Sequence, residues 1–258
     1  MAFRPETDVA IGAVTRGLAQ ARAGMGGSEL AFKGTRDVVT PTDVAVEDTI
    51  RSVVGDALGL PVVGEERGGE VPDDGSPYWI VDPICGTRNF ASGIPLYCVN
   101  LALVEQERVS AAVVGDPSTG EIHVAEAGRG AWALNDGDSR RLTAGVDSET
   151  IIVEESHSEG ARRDRAARFT AAAIRANRWD LRNLGTTLSV PYLAAGRVAA
   201  YVVFWAPVVH LAAGSLLAAE AGATVSDLDG ARWTLLSDAI VAGATPELHR
   251  ELLELLRV

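Results

Sequence analysis

A chain of 258 residues, 47% hydrophobic and 22% charged, has the make-up of a globular protein that can bury a substantial core as one large domain or two small ones. Its net charge of −12 argues against nucleic acid and anionic membrane surfaces as partners, and an anionic substrate would need a local cation, a metal or a few arginines, against that field. Two cysteines, Cys85 and Cys98, exclude a disulfide framework and fit a reducing cytoplasm, where the absence of a secretory signal pattern and of any apolar run near about 18 residues also places the chain.

Residues 6–24 carry Val9, Ile11, Val14 and Leu18 at helical spacing, and Gly24 opens a glycine-rich break. Asp37-Val38-Val39-Thr40-Pro41-Thr42-Asp43 reads as a loop and a helix start, with Thr42 or Asp43 as N-cap and a helix over 44–58. The apolar runs 60–63 and 78–81 read as strands, the second one buried. Residues 99–104, 109–114 and 121–125 alternate and predict antiparallel strands, with turns at 116–117 and 118–120. Ile151-Ile152-Val153 begins a second alternation; 162–175 and 184–195 predict helices, and 199–204 a strand. A compact Ala/Gly/Leu helix over 211–221 starts right after His210. Short strands at 224–228 and 239–242 and an amphipathic helix over 246–256 close the chain. No repeat, low-complexity tract or linker divides it, which predicts one α/β or α+β unit over 1–258 with approximate halves 1–145 and 146–258.

Chemistry concentrates between residues 62 and 100. Glu65-Glu66 follows one strand and Asp82-Pro83 ends the next, so two strand ends deliver three carboxylates toward one place. Gly86-Thr87 then offers a hydroxyl and backbone N–H groups at a helix or turn start. Carboxylates for a hard cation beside N–H groups for an oxyanion make the layout of a metal-assisted phosphate site. Cys98 in its apolar run, His123 in a strand, and His157 and His249 in polar or helical segments have no partner cluster and read as structural; Arg162-Arg163-Asp164-Arg165 reads as a solvated helix face.

These motifs resemble the inositol monophosphatase family of metal-dependent small-molecule phosphatases. Asp37-Val38-Val39-Thr40 with Asp43 is similar to its D-x-V-T-x-x-D, Gly64-Glu65-Glu66 to its G-E-E, and Trp79 through Phe90 to its W-x-V-D-P-I-D-G-T-x-N-F. Gly185-Thr186-Thr187 and Ala194-Ala195-Gly196-Arg197 sit where that family has its substrate-side helix. His210-Leu211-Ala212-Ala213-Gly214 with Glu220-Ala221-Gly222-Ala223 resembles its D-x-A-A-G…E-A-G-G. The resemblance implies a layered α/β/α/β/α sandwich, a homodimer and Mg²⁺-dependent hydrolysis of a phosphomonoester. It also implies roles: Glu65, Asp82 and the Ile84 carbonyl on a first metal, Glu65 and Thr87 on the attacking water, and the Gly86 and Thr87 amides on phosphate, with Gly185 and Thr186 beside the substrate. A second metal would need carboxylates at 82, 85 and 210, and this chain has Cys85 and His210 at two of them. Val203 stands where an acidic polyol contact is usual and Val209 where a Trp is usual, so the substrate wall is expected to be more apolar.

Three readings follow. In the favoured one, Cys85 is a nucleophile activated by His210 as base with Asp82 orienting it, and acyl transfer, hydrolysis, condensation or cyclisation on a small metabolite needs no cofactor. In the alternative, Mg²⁺ on Glu65 and Asp82, or Zn²⁺ on Asp82, Cys85 and His210, supports phosphomonoester hydrolysis on a small sugar- or polyol-like phosphate. In the third, the pocket binds without catalysis.

Overall fold

The computed structural model describes residues 2–27, 30–33, 38–145, 147–155 and 158–257. Helix α1 (Pro5–Gly24) has Pro5 in its first turn with Glu6 and Asp8, which suit the positive end of the helix dipole. Its buried face, Ala10, Ala13, Val14, Leu18 and Ala21, repeats every three to four residues. After the short antiparallel pair β1 (Ala31–Phe32) and β2 (Val38–Val39) comes helix α2 (Pro41–Leu58). Its N-cap is Thr40 rather than Thr42 or Asp43, because Pro41 has no N–H to lose and takes the first helical position. Asp43 closes a capping box instead: its Oδ2 accepts from the Thr40 N–H at 3.0 Å, and the Thr40 hydroxyl in turn accepts from the Asp43 N–H at 3.4 Å. Asp37 and His157, singled out in the sequence, lie outside the described residues.

Strands β3 (Val62–Gly64) and β4 (Tyr78–Cys85) pair in parallel, and helix α3 (Thr87–Ala91) follows. An antiparallel meander then adds β5 (Cys98–Glu105), β6 (Arg108–Gly115), β7 (Ile122–Glu126), β8 (Gly130–Asn135) and β9 (Asp138–Arg141), giving a seven-stranded sheet in sequence order. The second sheet is built from β10 (Thr150–Glu154), helix α4 (Gly160–Ala176), β11 (Asp180–Arg182), helix α5 (Ser189–Ala194), β12 (Ala200–Val203), helix α6 (Val208–Glu220), β13 (Thr224–Ser226), β14 (Ile240–Gly243) and helix α7 (Pro246–Leu255). Its strand order is β11-β10-β12-β14-β13.

Strand parity sorts the layers. Trp79 and Val81 of β4 join Val99, Leu101 and Leu103 of β5 against α1 and α2, while Tyr78, Ile80, Ala102 and Val104 face α6. Helix α6 is apolar on every side, so Ala212, Ala213, Leu216 and Leu217 pack on the first sheet while Leu211 and Ala218 pack toward the second. Beyond the second sheet lie Ala166, Phe169 and Ala173 of α4 and Leu248 and Leu252 of α7. This is the layered α/β/α/β/α sandwich the resemblance implies.

The helix expected over 184–195 is only α5. Gly185 takes φ +65°, and the N–H groups of Leu184 and Gly185 are drawn to Glu154 instead of a helical ladder. His249, expected on a surface, is buried, and its Nε2 lies 2.7 Å from the Ser226 hydroxyl. Among the described residues no helix is long and apolar enough to cross a membrane.

Candidate active site

Even-numbered residues of β4 face α6, so Asp82 points inward by simple alternation; Cys85, three positions on, should point away. The register of β4 against β5 shifts between Asp82 and Cys85, and that irregularity turns Cys85 onto the same face. From α6, His210 reaches back to them. Its Nδ1 lies 2.5 Å from Asp82 Oδ2, and donor atoms of Asp82, Cys85 and His210 all fall within 4.8 Å of one another. The three residues read from the sequence as one cluster do converge.

Their protons sit in an order unlike that of a nucleophile and its base. The Cys85 thiol is pushed well above its usual range by its hydrogen bond with Cys98, by burial and by the Asp82 charge. Its Sγ accepts the Thr187 N–H at 3.3 Å. Burial works to discharge His210, yet the Asp82 carboxylate, the Cys85 sulfur and its hydrogen bonds to both raise its pKa well above the ordinary value. Both shifts keep the proton on sulfur and favour the charged imidazole, and an imidazolium has no lone pair with which to take a thiol proton.

Glu65 stands at the end of β3. Its Oε1 pairs with Lys33 Nζ at 3.3 Å, and the same ammonium pairs with Glu66 Oε1 at 2.7 Å. Glu65 Oε2 and Asp82 Oδ1 are buried without a hydrogen-bond partner. Burial, then the Asp82 charge, pushes the Glu65 carboxyl up to about 8, with His210 and Lys33 opposing. Two buried carboxylate oxygens left without donors, with the Ile84 carbonyl on the lining of the same cavity, fit a hard divalent cation. The Cys85–His210 pair does not fit Mg²⁺, since thiol and imidazole are poor ligands for it.

Thr87 is nearly buried, and its Oγ1 lies 3.1 Å from Asp43 Oδ1 and 3.0 Å from the Ile84 carbonyl. Asp43 therefore serves the start of α2 with one oxygen and the catalytic-side hydroxyl with the other. Gly86 has φ +107°, and a Cβ there would meet the Leu96 carbonyl at 2.9 Å and Thr186 Cβ at 3.1 Å, so only glycine fits. Thr186 lines the cavity but spends its hydroxyl proton on the Cys85 carbonyl at 2.7 Å.

The cavity holds about 450 Å³. Glu65, Thr87 and His210 line it together with Gly185, Tyr201, Val203, Trp205 and Ala206. Val203 is thus on the expected apolar wall. Val209 is absent from that lining: one residue before His210 on α6, it is turned about 100° away and packs with the apolar cluster between the helix and the first sheet. Sequence reasoning passed over four residues that the geometry brings in. Asp43 and Thr187 were read as parts of family-like segments, Asp43 also as a cap, with no role in the site, and Lys33 and Glu154, which lines the cavity, carried no motif signal.

Against known proteins, residues 4–258 match the model of the inositol monophosphatase family. An inositol-1-monophosphatase of Mesorhizobium japonicum is 35% identical over 83% of this chain and 81% of its own length. The Nus factor SuhB of Vibrio cholerae is 32% identical over 82% and 80%. Among solved structures, the extragenic suppressor protein suhB of Bartonella henselae superposes with a TM-score of 0.89 at 26% identity, over 98% of this chain and 99% of that one. An IMPase of Thermotoga maritima does so with a TM-score of 0.83 at 25% identity, over 97% and 96%.

Proposed function

The chain belongs to the inositol monophosphatase family, and from that premise we propose that it is a Mg²⁺-dependent phosphomonoesterase whose second cation position is held by the His210 side chain. The expectation of a centre that needs no cofactor is corrected by the same membership, because the family's phosphatases depend on Mg²⁺. The observation that carries the reading is the pair of unpartnered buried oxygens, Glu65 Oε2 and Asp82 Oδ1.

Glu65, Asp82 and the Ile84 carbonyl would hold the ion. When bound, it supplies a Lewis acid that withdraws charge from phosphate oxygens and water. The remaining work falls to the chain. The Thr87 hydroxyl donates to Asp43 Oδ1, so its oxygen can accept a hydrogen bond from the attacking water and take that water's proton as its own passes to the Asp43 carboxylate. Water attacks phosphorus as the ester P–O bond breaks and the leaving oxygen takes up a proton. His210, held on Asp82 through Nδ1 and lining the cavity, gives that proton in this reading. Cys85 Sγ, held by the Thr187 N–H, serves in this reading as a wall under the imidazole.

Phosphate release from p-nitrophenyl phosphate, followed with and without chelator, tests the proposal. Activity is expected to vanish with EDTA and return with Mg²⁺ along a one-site curve, and Glu65→Gln is expected to lower kcat by about 10²–10³-fold. Phosphate release indifferent to chelator would overturn it. The clustering of Asp82, Cys85 and His210 within 4.8 Å favours one second reading, Zn²⁺ on a mixed O, S, N ligand set. Return of activity with Zn²⁺ but not Mg²⁺ would select it.

A further inference from the structure

Nothing in the reaction described so far uses Glu154. It is the last residue of β10, in register with Val203 of β12, and only 4% exposed. One oxygen is fully engaged: Oε1 accepts the N–H groups of Leu184 at 2.8 Å and Gly185 at 3.0 Å. The other, Oε2, is buried with no hydrogen-bond partner, and the side chain lines the same cavity as Glu65, Thr87 and His210. Were the carboxylate there only to tie β10 to the 184–187 loop, one oxygen would suffice. A glutamine would do that work without a buried charge.

We propose that Glu154 sets substrate specificity: the cavity takes a phosphomonoester whose organic part bears an ammonium group, which Glu154 Oε2 receives. The inference rests on the phosphomonoesterase reading and adds the class of substrate to it. Three features favour an ammonium over the hydroxyls of a polyol. A hydroxyl satisfies the lone pairs but leaves the buried charge, whereas a cation cancels it. Tyr201 and Trp205 line the cavity alongside Glu154, and aromatic residues beside a carboxylate suit an organic cation. Val203, across the register from Glu154, offers no hydrogen bond to a polyol. Burial also pushes the Glu154 carboxyl up to about 7, a rise that a bound ammonium would reverse.

The test is a series of ω-aminoalkyl phosphates of two to six carbons, each compared with the alkyl and ω-hydroxyalkyl phosphates of equal length. At one chain length the amino compound is expected to exceed the alkyl compound by about tenfold or more in kcat/KM, with the difference in KM. Glu154→Gln, which keeps an acceptor for Leu184 and Gly185, is expected to shrink that ratio to near one. Glu154→Asp should restore it at a chain about one carbon longer. A purely structural carboxylate would change all three series alike. If Glu154→Gln does not fold, the wild-type series and Glu154→Asp decide. Hydrolysis of all three series with no preference for the ammonium, or a ratio unchanged in Glu154→Gln, overturns the proposal and leaves the phosphatase standing. Failure to release phosphate from any of them, p-nitrophenyl phosphate included, overturns the phosphatase reading and this inference with it.

Discussion

A buried acid kept for a ligand leaves a thermodynamic trace in the empty protein, and Glu154 is where to look for it. Its carboxyl sits at about 7 in the fold, chiefly through burial, against 4.5 for the unperturbed group. A raised folded-state value means that the folded form holds the proton more tightly than the unfolded chain. The stabilisation is therefore complete below about 4.5 and is lost as pH rises through about 7. Glu154→Gln removes this dependence. Denaturant unfolding at pH 8 should find the variant more stable than wild type, by an amount bounded at about 3 kcal/mol. At pH 4 the two should nearly coincide. Equal stability at pH 8 would mean that the Leu184 and Gly185 N–H groups already compensate the charge. Cys85 illustrates the opposite lesson. The sequence placed sulfur, imidazole and carboxylate in one cluster correctly, but which of them holds the proton depends on burial and on Cys98 across the sheet, a pairing that residue spacing does not report.

At the scale of elements, one side chain joins a helix terminus to the reactive hydroxyl. Asp43 gives Oδ2 to the Thr40 N–H and Oγ1 at the start of α2, and Oδ1 to Thr87 at the start of α3. Asparagine has a single acceptor oxygen and can serve one side only. Asp43→Asn is therefore expected to lose about 1 kcal/mol of stability if the cap is sacrificed, and kcat if the hydroxyl is. Thr87→Val should lose kcat with α2 intact, and thermal melts beside steady-state rates separate the two. An Asp43→Asn protein unchanged in both would remove Asp43 from the mechanism as a positioning residue. The strands of the meander were legible because Val99 to Val104 and Val109 to Val114 alternate against two covered faces. Strand β9 was not, because Asp138-Ser139-Arg140-Arg141 is exposed on both sides and has no apolar phase to read. The turn of Cys85 was equally hidden, since a shift of pairing between β4 and β5 is a property of two strands together.

The molecule as a whole is held together through α6, whose apolar sides serve both sheets while its first turn puts His210 against Asp82 of the first. An acidic chain with a net charge of −12 thus keeps Glu65 Oε2 and Asp82 Oδ1 unpartnered at the seam of its layers. A cation bound there couples to folding, since the unfolded chain has no such arrangement. Mg²⁺ at a hundredfold excess over its Kd stabilises by about 2.7 kcal/mol, which for a chain of this size raises Tm by roughly 5–10 °C. Glu65→Gln takes away one ligand together with the negative charge beside Asp82. That variant is expected to melt at or above the metal-free wild type and to gain nothing from Mg²⁺. Scanning calorimetry with EDTA, then with Mg²⁺, reads both effects at once. A Glu65→Gln protein that still shifts by the wild-type amount would mean that the ion binds elsewhere on this acidic surface, and the two orphaned oxygens would need another explanation.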